Sequence, residues 1–420
     1  MSCLKSKMSR PIGRNCSHSE FSAAGNLFST SAYKRGFTAK LAQQETRGPE
    51  ISISYGWIGT LIVAVLAVLA TAAVPPAVYA QLPPPQAPPG WGQVPQGTGA
   101  CSVEASCADL APGMIKKALG PSPLNDEVSV LAKILASRDP SAGKRAAKWA
   151  IENFHRAGAD NVRAEKFSPS SPFESVIADV RGRERQWDYV LIAGTLNASG
   201  TNPLTTAENV ASLVDAVRVI HASGSIPRRS IRFVLFAVAS DGSSGYLASE
   251  WAYLHQHYAD VDHIAAAVAI DAAGEPIDGF SLEDRPDILS ATRQALEPLK
   301  PLGVRNFTEG VNIPSPVTPF WLEGMPALVS TPIATSIALE NGPRSGTGAI
   351  EPAKLQHLKR GVAIEAVTAY ALADAESRIG PRRPRSQVEH SIASGGLEPK
   401  LKANGLWNEW QSAQRRASQK

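Results

Sequence analysis

Several familiar devices are missing from this chain. It contains no Gly-rich phosphate loop, no dinucleotide-binding glycine fingerprint, no zinc-finger spacing and no H-E-x-x-H pair, which removes the commonest nucleotide and single-zinc chemistries. Aromatic residues make up only 6% of the sequence and do not alternate with basic ones through its middle. The stacking platform and basic groove needed by single-stranded nucleic acid are therefore absent, and no nucleic-acid partner is expected. The formal charge is a modest +4, with basic residues gathered at the two ends. Cysteine is scarce, four in 420 residues. Cys101 and Cys107 match no zinc spacing; they are placed to pair in an oxidising compartment, and the paired and free states both stay open.

What the chain does have is a long apolar run and an ample core composition. Residues 1–50 carry eight Lys and Arg against three acids, many Ser and no apolar periodicity, and are read as a disordered basic region. Residues 57–74 are eighteen positions without a charge, long enough to span a bilayer. Ala-Val-Tyr-Ala at 77–80 is a small-residue cleavage site, so 51–80 reads as a signal peptide or a membrane anchor. Positive charge upstream keeps the N-terminus inside and sends the rest across, to a periplasmic, secreted or membrane-tethered location. A mitochondrial presequence is the alternative for the first forty residues, and the apolar run fits export better. Residues 81–110 begin as a Pro and Gly linker, 111–377 form the folded domain, and 378–420 form a basic tail expected to be loosely attached.

The domain is organised around residues 187–271. Apolar runs YVLIAG, IRFVLFAV and IAAAVAI each end in a polar turn and are separated by helical patterns, which is how buried parallel strands read. Amphipathic patterns at 126–136 and 142–157 precede them, and another at 352–375 closes the domain. Residues 274–286 read as a loop or hairpin, and 288–299 as a helix. The fold class predicted is α/β, a three-layer sandwich around a mixed, mostly parallel central sheet.

The ordered segments, from His155-Arg-Ala-Gly158 and Ser175-Val-Ile-Ala through the three strands to Gly324-Met-Pro-Ala327, resemble metallopeptidase family twenty-eight, the co-catalytic zinc aminopeptidases and glutamate carboxypeptidases. The resemblance implies a zinc-exopeptidase-like sheet with its site at the strand ends. It also implies which residues should matter. The His and Asp of the family's H-x-D fall on Thr195 and Asn197. The bridging Asp falls on Glu208, followed by a retained Asn209. The catalytic Glu and the ligand after it fall on Ala239 and Ser240, next to Asp241, and the strand-end Asp is kept as Asp271. The later Asp-His falls on Pro316 and Val317, and the last His lies where Asn341-Gly342 stand. Threonine and amide groups are poor zinc ligands, and alanine cannot act as a base.

Thr195, Asn197, Asn209, Ala239, Ser240 and Asp241 are thus expected to line a vestigial site without a catalytic residue, and Glu208 and Asp271 are the residual metal candidates. No cofactor is expected. The chain reads as a catalytically degenerate peptidase fold that acts by binding or scaffolding, with a peptide or protein partner at the old substrate cleft and membrane contact through 57–74 if uncleaved. One alternative is an active metal-dependent exopeptidase with a non-standard site on Glu208, Asp241 and Asp271, in which case zinc is the cofactor. A second is a serine hydrolase using Ser243, whose triad would need a later histidine, for which His357 in the last helix of the domain offers itself. The cluster His255, His257, Asp260, Asp262 and His263 has a metal-like composition. Residues at i and i+2 on a helix face apart, which favours a polar helix end.

Overall fold

The computed structural model describes residues 106–417 except 138, 168–173, 199–201, 239–246, 272–273 and 334–349. All of these fall in the unit Pro83–Lys420. The regions 1–50 and 51–80, the apolar run 57–74 and Cys101 lie outside them. Among the described residues no helix is long and apolar enough to cross a membrane.

Eight strands form one sheet: β1 (Asn161–Glu165), β2 (Ser175–Val180), β3 (Arg185–Asn197), β4 (Arg229–Val238), β5 (Ile264–Ala269), β6 (Ile277–Ser281), β7 (Asn306–Thr308) and β8 (Ala327–Pro332). Their order is β1-β2-β4-β3-β5-β8-β6-β7. The centre, β4-β3-β5-β8, is parallel throughout, while β2 joins β4 and β6 joins β8 antiparallel. Side chains alternate across the pleat, so each central strand feeds two cores. On β3, Val190 and Ile192 enter one core and Leu191 and Ala193 the other.

Helices cover both faces and complete the three layers. The first face carries α1 (Cys107–Leu119), α2 (Leu124–Leu135), α3 (Ala142–Ala157) and α4 (Pro203–Ala222). Leu131, Phe154 and Val214 from these helices share one core with Val190. The second face carries α5 (Ala248–Gln256), whose Trp251 and Leu254 pack with Leu191. Beyond β5, α6 (Leu289–Ala295) and a 3-10 turn (Glu297–Leu302) lead to α7 (Thr318–Leu322), whose Phe320 joins the second core. The closing helix α8 (Pro352–Asp374) returns to the first face, burying Leu358, Val362 and Val367.

Three expectations are corrected. Helix α1 occupies the end of the expected linker; Pro112-Gly113 conceal it in the sequence, yet Ala111, Met114 and Ala118 are buried and hold it in place. The Asp109 carboxylate accepts from the Ser106 backbone N–H at 3.1 Å and from its hydroxyl at 2.7 Å, which fixes the first turn. The stretch read as a loop or hairpin at 274–286 supplies β6, which pairs with the distant β7 and β8 instead. Gly279 makes its pairing with β7 possible, because an added Cβ there would sit 1.6 Å from the Asn306 carbonyl oxygen.

The tail is not loose. It forms α9 (Arg385–Ser394), α10 (Glu398–Ala403) and α11 (Leu406–Ala417), and Val388, Leu401, Leu406 and Trp410 complete the second core. The fully buried Arg285 guanidinium donates to the carbonyls of Gly324 at 3.2 Å and Pro381 at 2.9 Å, and Arg383 donates to the Asp284 carbonyl at 2.8 Å. Gly324, at φ 84°, lets the Arg383 backbone approach so closely that a Cβ would meet its oxygen at 2.1 Å.

A polar network crosses the sheet beneath α5. Arg232 on β4 faces Asp179 on β2, with Nε 2.7 Å from Oδ1 and Nη2 3.3 Å from Oδ2. Its guanidinium lies 4.4 Å from the centroid of the Tyr189 ring and reaches the Tyr253 hydroxyl at 3.3 Å. Arg163 continues the network, 3.1 Å from Asp179 and 2.5 Å from Glu165, and Glu165 meets His257 Nε2 at 2.8 Å. Burial disfavours the His257 imidazolium, but Asp260 and Glu165 outweigh it and hold its pKa above the ordinary value. A raised histidine pKa stabilises the native state below the unfolded pKa, and this is lost as pH rises through the folded one. His257→Gln is therefore expected to lower the thermal midpoint clearly at about pH 5.5 and much less at about pH 8.5, read by parallel thermal melts.

Candidate functional site

Strands β3 and β4 stop together, and the expected site lies at the carboxyl ends of the parallel strands. On β3, Thr195 pairs with Phe236 and Asn197 with Val238, the last residue of β4. Both are half-buried. Asp271 follows β5 by two residues, and α4 brings Glu208 and Asn209 beside it. The Asn209 Nδ2 donates to the Asp271 backbone carbonyl at 2.7 Å, so the amide ties the helix to the strand end. Glu208 is 2% exposed, and the Lys354 ammonium from the first turn of α8 lies 2.6 Å from its Oε1. An added Cβ at Gly274 would lie 3.0 Å from the other oxygen. Glu208, Asn209 and Asp271 are thus brought together, with Thr195 and Asn197 on the same sheet end.

Ala239, Ser240, Asp241, Ser243 and Asn341-Gly342 lie outside the described residues. Val317 is fully buried in the second core beside Phe320, so its position serves packing. The histidine cluster is dispersed: His257 goes to Glu165, His263 Nδ1 lies 3.0 Å from Asp188, and Asp262 pairs with Arg382 at 2.8 Å.

The electrostatics of this end are those of buried acids. Burial pushes the Asp271 carboxyl up to about 6. Glu250, on α5, is 2% exposed, and its Oε1 has no hydrogen-bond partner among the described residues. Burial raises it to about 8, opposed by its own backbone N–H and reinforced by the charge of Asp271. Glu365 on α8 is fully buried and is raised well above the carboxylate range by burial, although Ser212 donates to its Oε1 at 2.9 Å. Burial therefore biases both glutamates toward the neutral acid. Neither was legible in the sequence, since SEWAYLHQ and GVAIEAVT read as helices with an ordinary polar position. Lys354 carried no signal either.

Neither a family model nor a curated protein matches this sequence. Among solved structures it is similar to a Peptidase M28 precursor from Shewanella amazonensis SB2B, at 15% identity and a TM-score of 0.56, over 66% of this chain and 99% of that one. The fold is that of the zinc exopeptidases. Similarity extends to the LapA aminopeptidase of Legionella pneumophila, at 14% identity and a TM-score of 0.47 over 63% of this chain and 75% of that one. It also extends to a glutaminyl cyclase of Macrostomum lignano, at 13% identity and 0.47 over 65% and 94%.

The described residues do not fit the pair of zinc ions that a zinc-exopeptidase fold implies. Among them no group of three or more His, Cys, Asp or Glu could hold a metal ion. Glu208 already faces an ammonium, and a fixed cation at 2.6 Å repels a second cation sharing that oxygen.

Proposed function

We propose that this chain uses the zinc-exopeptidase fold for binding or scaffolding and not for peptide hydrolysis, acting outside the cytoplasm and receiving a peptide or protein partner at the strand-end cleft. Residues 57–74 tether it to the membrane where the signal is not cut. The observation that carries the reading is the Lys354–Glu208 ion pair. By resemblance Glu208 takes the metal-bridging place, and there a lysine supplies the positive charge that a metal would otherwise supply. A buried carboxylate needs one such counter-charge and is costly without it.

The test is metal analysis of the purified chain together with aminoacyl-anilide hydrolysis in the presence of added zinc. Substoichiometric metal, no turnover and retention of a peptide partner support the reading. Stoichiometric zinc with chelator-sensitive turnover overturns it and restores the exopeptidase alternative. Zinc-independent turnover abolished by Ser243→Ala restores the serine alternative. The ion pair has its own test: Lys354→Met is expected to destabilise the chain by about 2–4 kcal/mol in urea unfolding, and Glu208→Gln in the same background to recover most of it.

A further inference from the structure

A second cleft lies at the other end of the sheet, where β3 and β4 begin, and encloses about 1180 Å³. Most of its apolar wall is helical, and the non-helical stretch 375–379 completes the lining. Pro112 and Ile115 come from α1, Ala291 and Ala295 from α6, Pro298 and Pro301 from the 3-10 turn. Helical backbone is already hydrogen-bonded to itself, and proline has no N–H to give. An extended peptide would find no main-chain ladder on such walls, whereas an apolar chain needs none. The volume slightly exceeds the usual range for small-molecule sites.

The charges around the cleft are unbalanced. Lys116, Arg183, Arg228, Lys300 and Arg378 line it against Glu297, Asp374 and Glu376; Lys300 meets Glu297 at 2.7 Å, Arg183 and Arg228 meet Glu184 at 3.3 and 2.9 Å, and Arg378 meets Asp188 at 3.1 Å. Asp374 is already satisfied by the Arg183 guanidinium at 2.9 Å and by the Arg228 backbone N–H at 3.2 Å. Behind the wall, the fully buried Arg229 guanidinium donates to the carbonyls of Ala375 and Glu376 and to no carboxylate among the described residues. Burial and the like charge of Arg185, with Arg378 and Arg228 adding to it, hold its pKa below the ordinary value. With Glu184 and Asp188 counted, seven cations (Lys116, Arg183, Arg185, Arg228, Arg229, Lys300 and Arg378) stand against five acids (Glu184, Asp188, Glu297, Asp374 and Glu376) at this end of the sheet, a modest positive surplus. Cys107 also faces the cleft, but burial first and Asp374 second push its thiol up to about 12, so it is no nucleophile.

We propose that this cleft binds a free single-chain amphiphile carrying a carboxylate, its apolar chain along the proline and alanine walls and its head among the basic side chains. The site is separate from the strand-end cleft and does not depend on how that cleft functions. The probe is octanoate below its micelle concentration, titrated calorimetrically into the purified full-length chain, with octylammonium as the comparison. Octanoate is expected to bind at one per chain and octylammonium at least about tenfold more weakly. The exposed pair Lys116→Glu and Lys300→Glu should weaken octanoate about tenfold, and Ala295→Trp should remove binding by filling the cleft, each variant keeping the parental thermal midpoint. Adsorption to the apolar run at 57–74 would ignore all three substitutions. Equal affinity for octylammonium, an unchanged titration in the charge variant, or no octanoate binding at all would overturn the proposal. Should Ala295→Trp misfold, the charge variant and the octylammonium comparison still decide it.

Discussion

Arg232→Met is expected to lower the unfolding free energy at pH 7 by about 3 kcal/mol, measured by urea denaturation. The reason is what it leaves behind. Arg232 and Asp179 are 4% and 1% exposed, and they face each other inside the sheet where water cannot replace the lost partner. Arg163 still reaches Asp179 at 3.1 Å and keeps the cost from growing further. The Tyr189 ring would also lose the cation above it. Replacing both charges, as in Arg232→Met with Asp179→Leu, should recover most of the loss, because two apolar groups leave no buried charge uncompensated. A single variant that loses less than about 1 kcal/mol would show that the network is not what holds β2 onto β4.

The second large effect has the opposite sign. Glu250→Gln is expected to stabilise the chain at about pH 8 and to leave it nearly unchanged at about pH 4. In the native state the Glu250 carboxyl keeps its proton up to about 8, against an ordinary value of 4.5. The unfolded chain releases that proton at the lower pH, so the contribution is fully present below 4.5 and drains away up to about 8. At ~1.4 kcal/mol per pH unit the whole effect is bounded at about 5 kcal/mol, and relaxation around the acid will reduce it to a few. The glutamine keeps the shape and cannot ionise. Thermal melts across this window should show a shallower decline for the variant than for the parent, and parallel curves would mean that Glu250 is not the group responsible.

The parts of the fold written as continuous apolar runs were legible without coordinates. YVLIAG, IRFVLFAV and IAAAVAI became the three central parallel strands because each is buried on both faces and has no polar alternation to confuse the reading. Helix α8 was legible as a long helical pattern, although the amphipathic reading holds only for its first turns: residues 361–373 are buried on every side. Elements that depend on partners far along the chain were not. β6 is five residues containing a glycine and an aspartate, and only its neighbours β8 and β7 make it a strand. The tail reads as polar because its apolar residues, Val388, Leu401, Leu406 and Trp410, are sparse and acquire a common face only when three short helices fold onto the sheet.

The strand-end site divides along the same line. Glu208, Asn209 and Asp271 were placed by the order of segments, and the Asn209 contact with the Asp271 carbonyl joins two of them. Lys354 and Glu250 were not foreseen, since a surface-looking lysine and an ordinary helical glutamate gain their meaning from burial against another element. Composition can report that imidazoles are scarce. It cannot report which ammonium arrives beside a carboxylate.

The grip of Arg285 and Arg383 on the last helices has a practical side. A chain cut after Ser377, at the end of the expected α/β domain, would strip the cover from one face of the sheet and deprive the Arg285 guanidinium of its Pro381 acceptor. Such a fragment would present a greasy, sticky flank to its neighbours and clump on expression. The 43 residues from 378 to 420, which look dispensable on paper, must be inherited, translated and kept intact along with the rest.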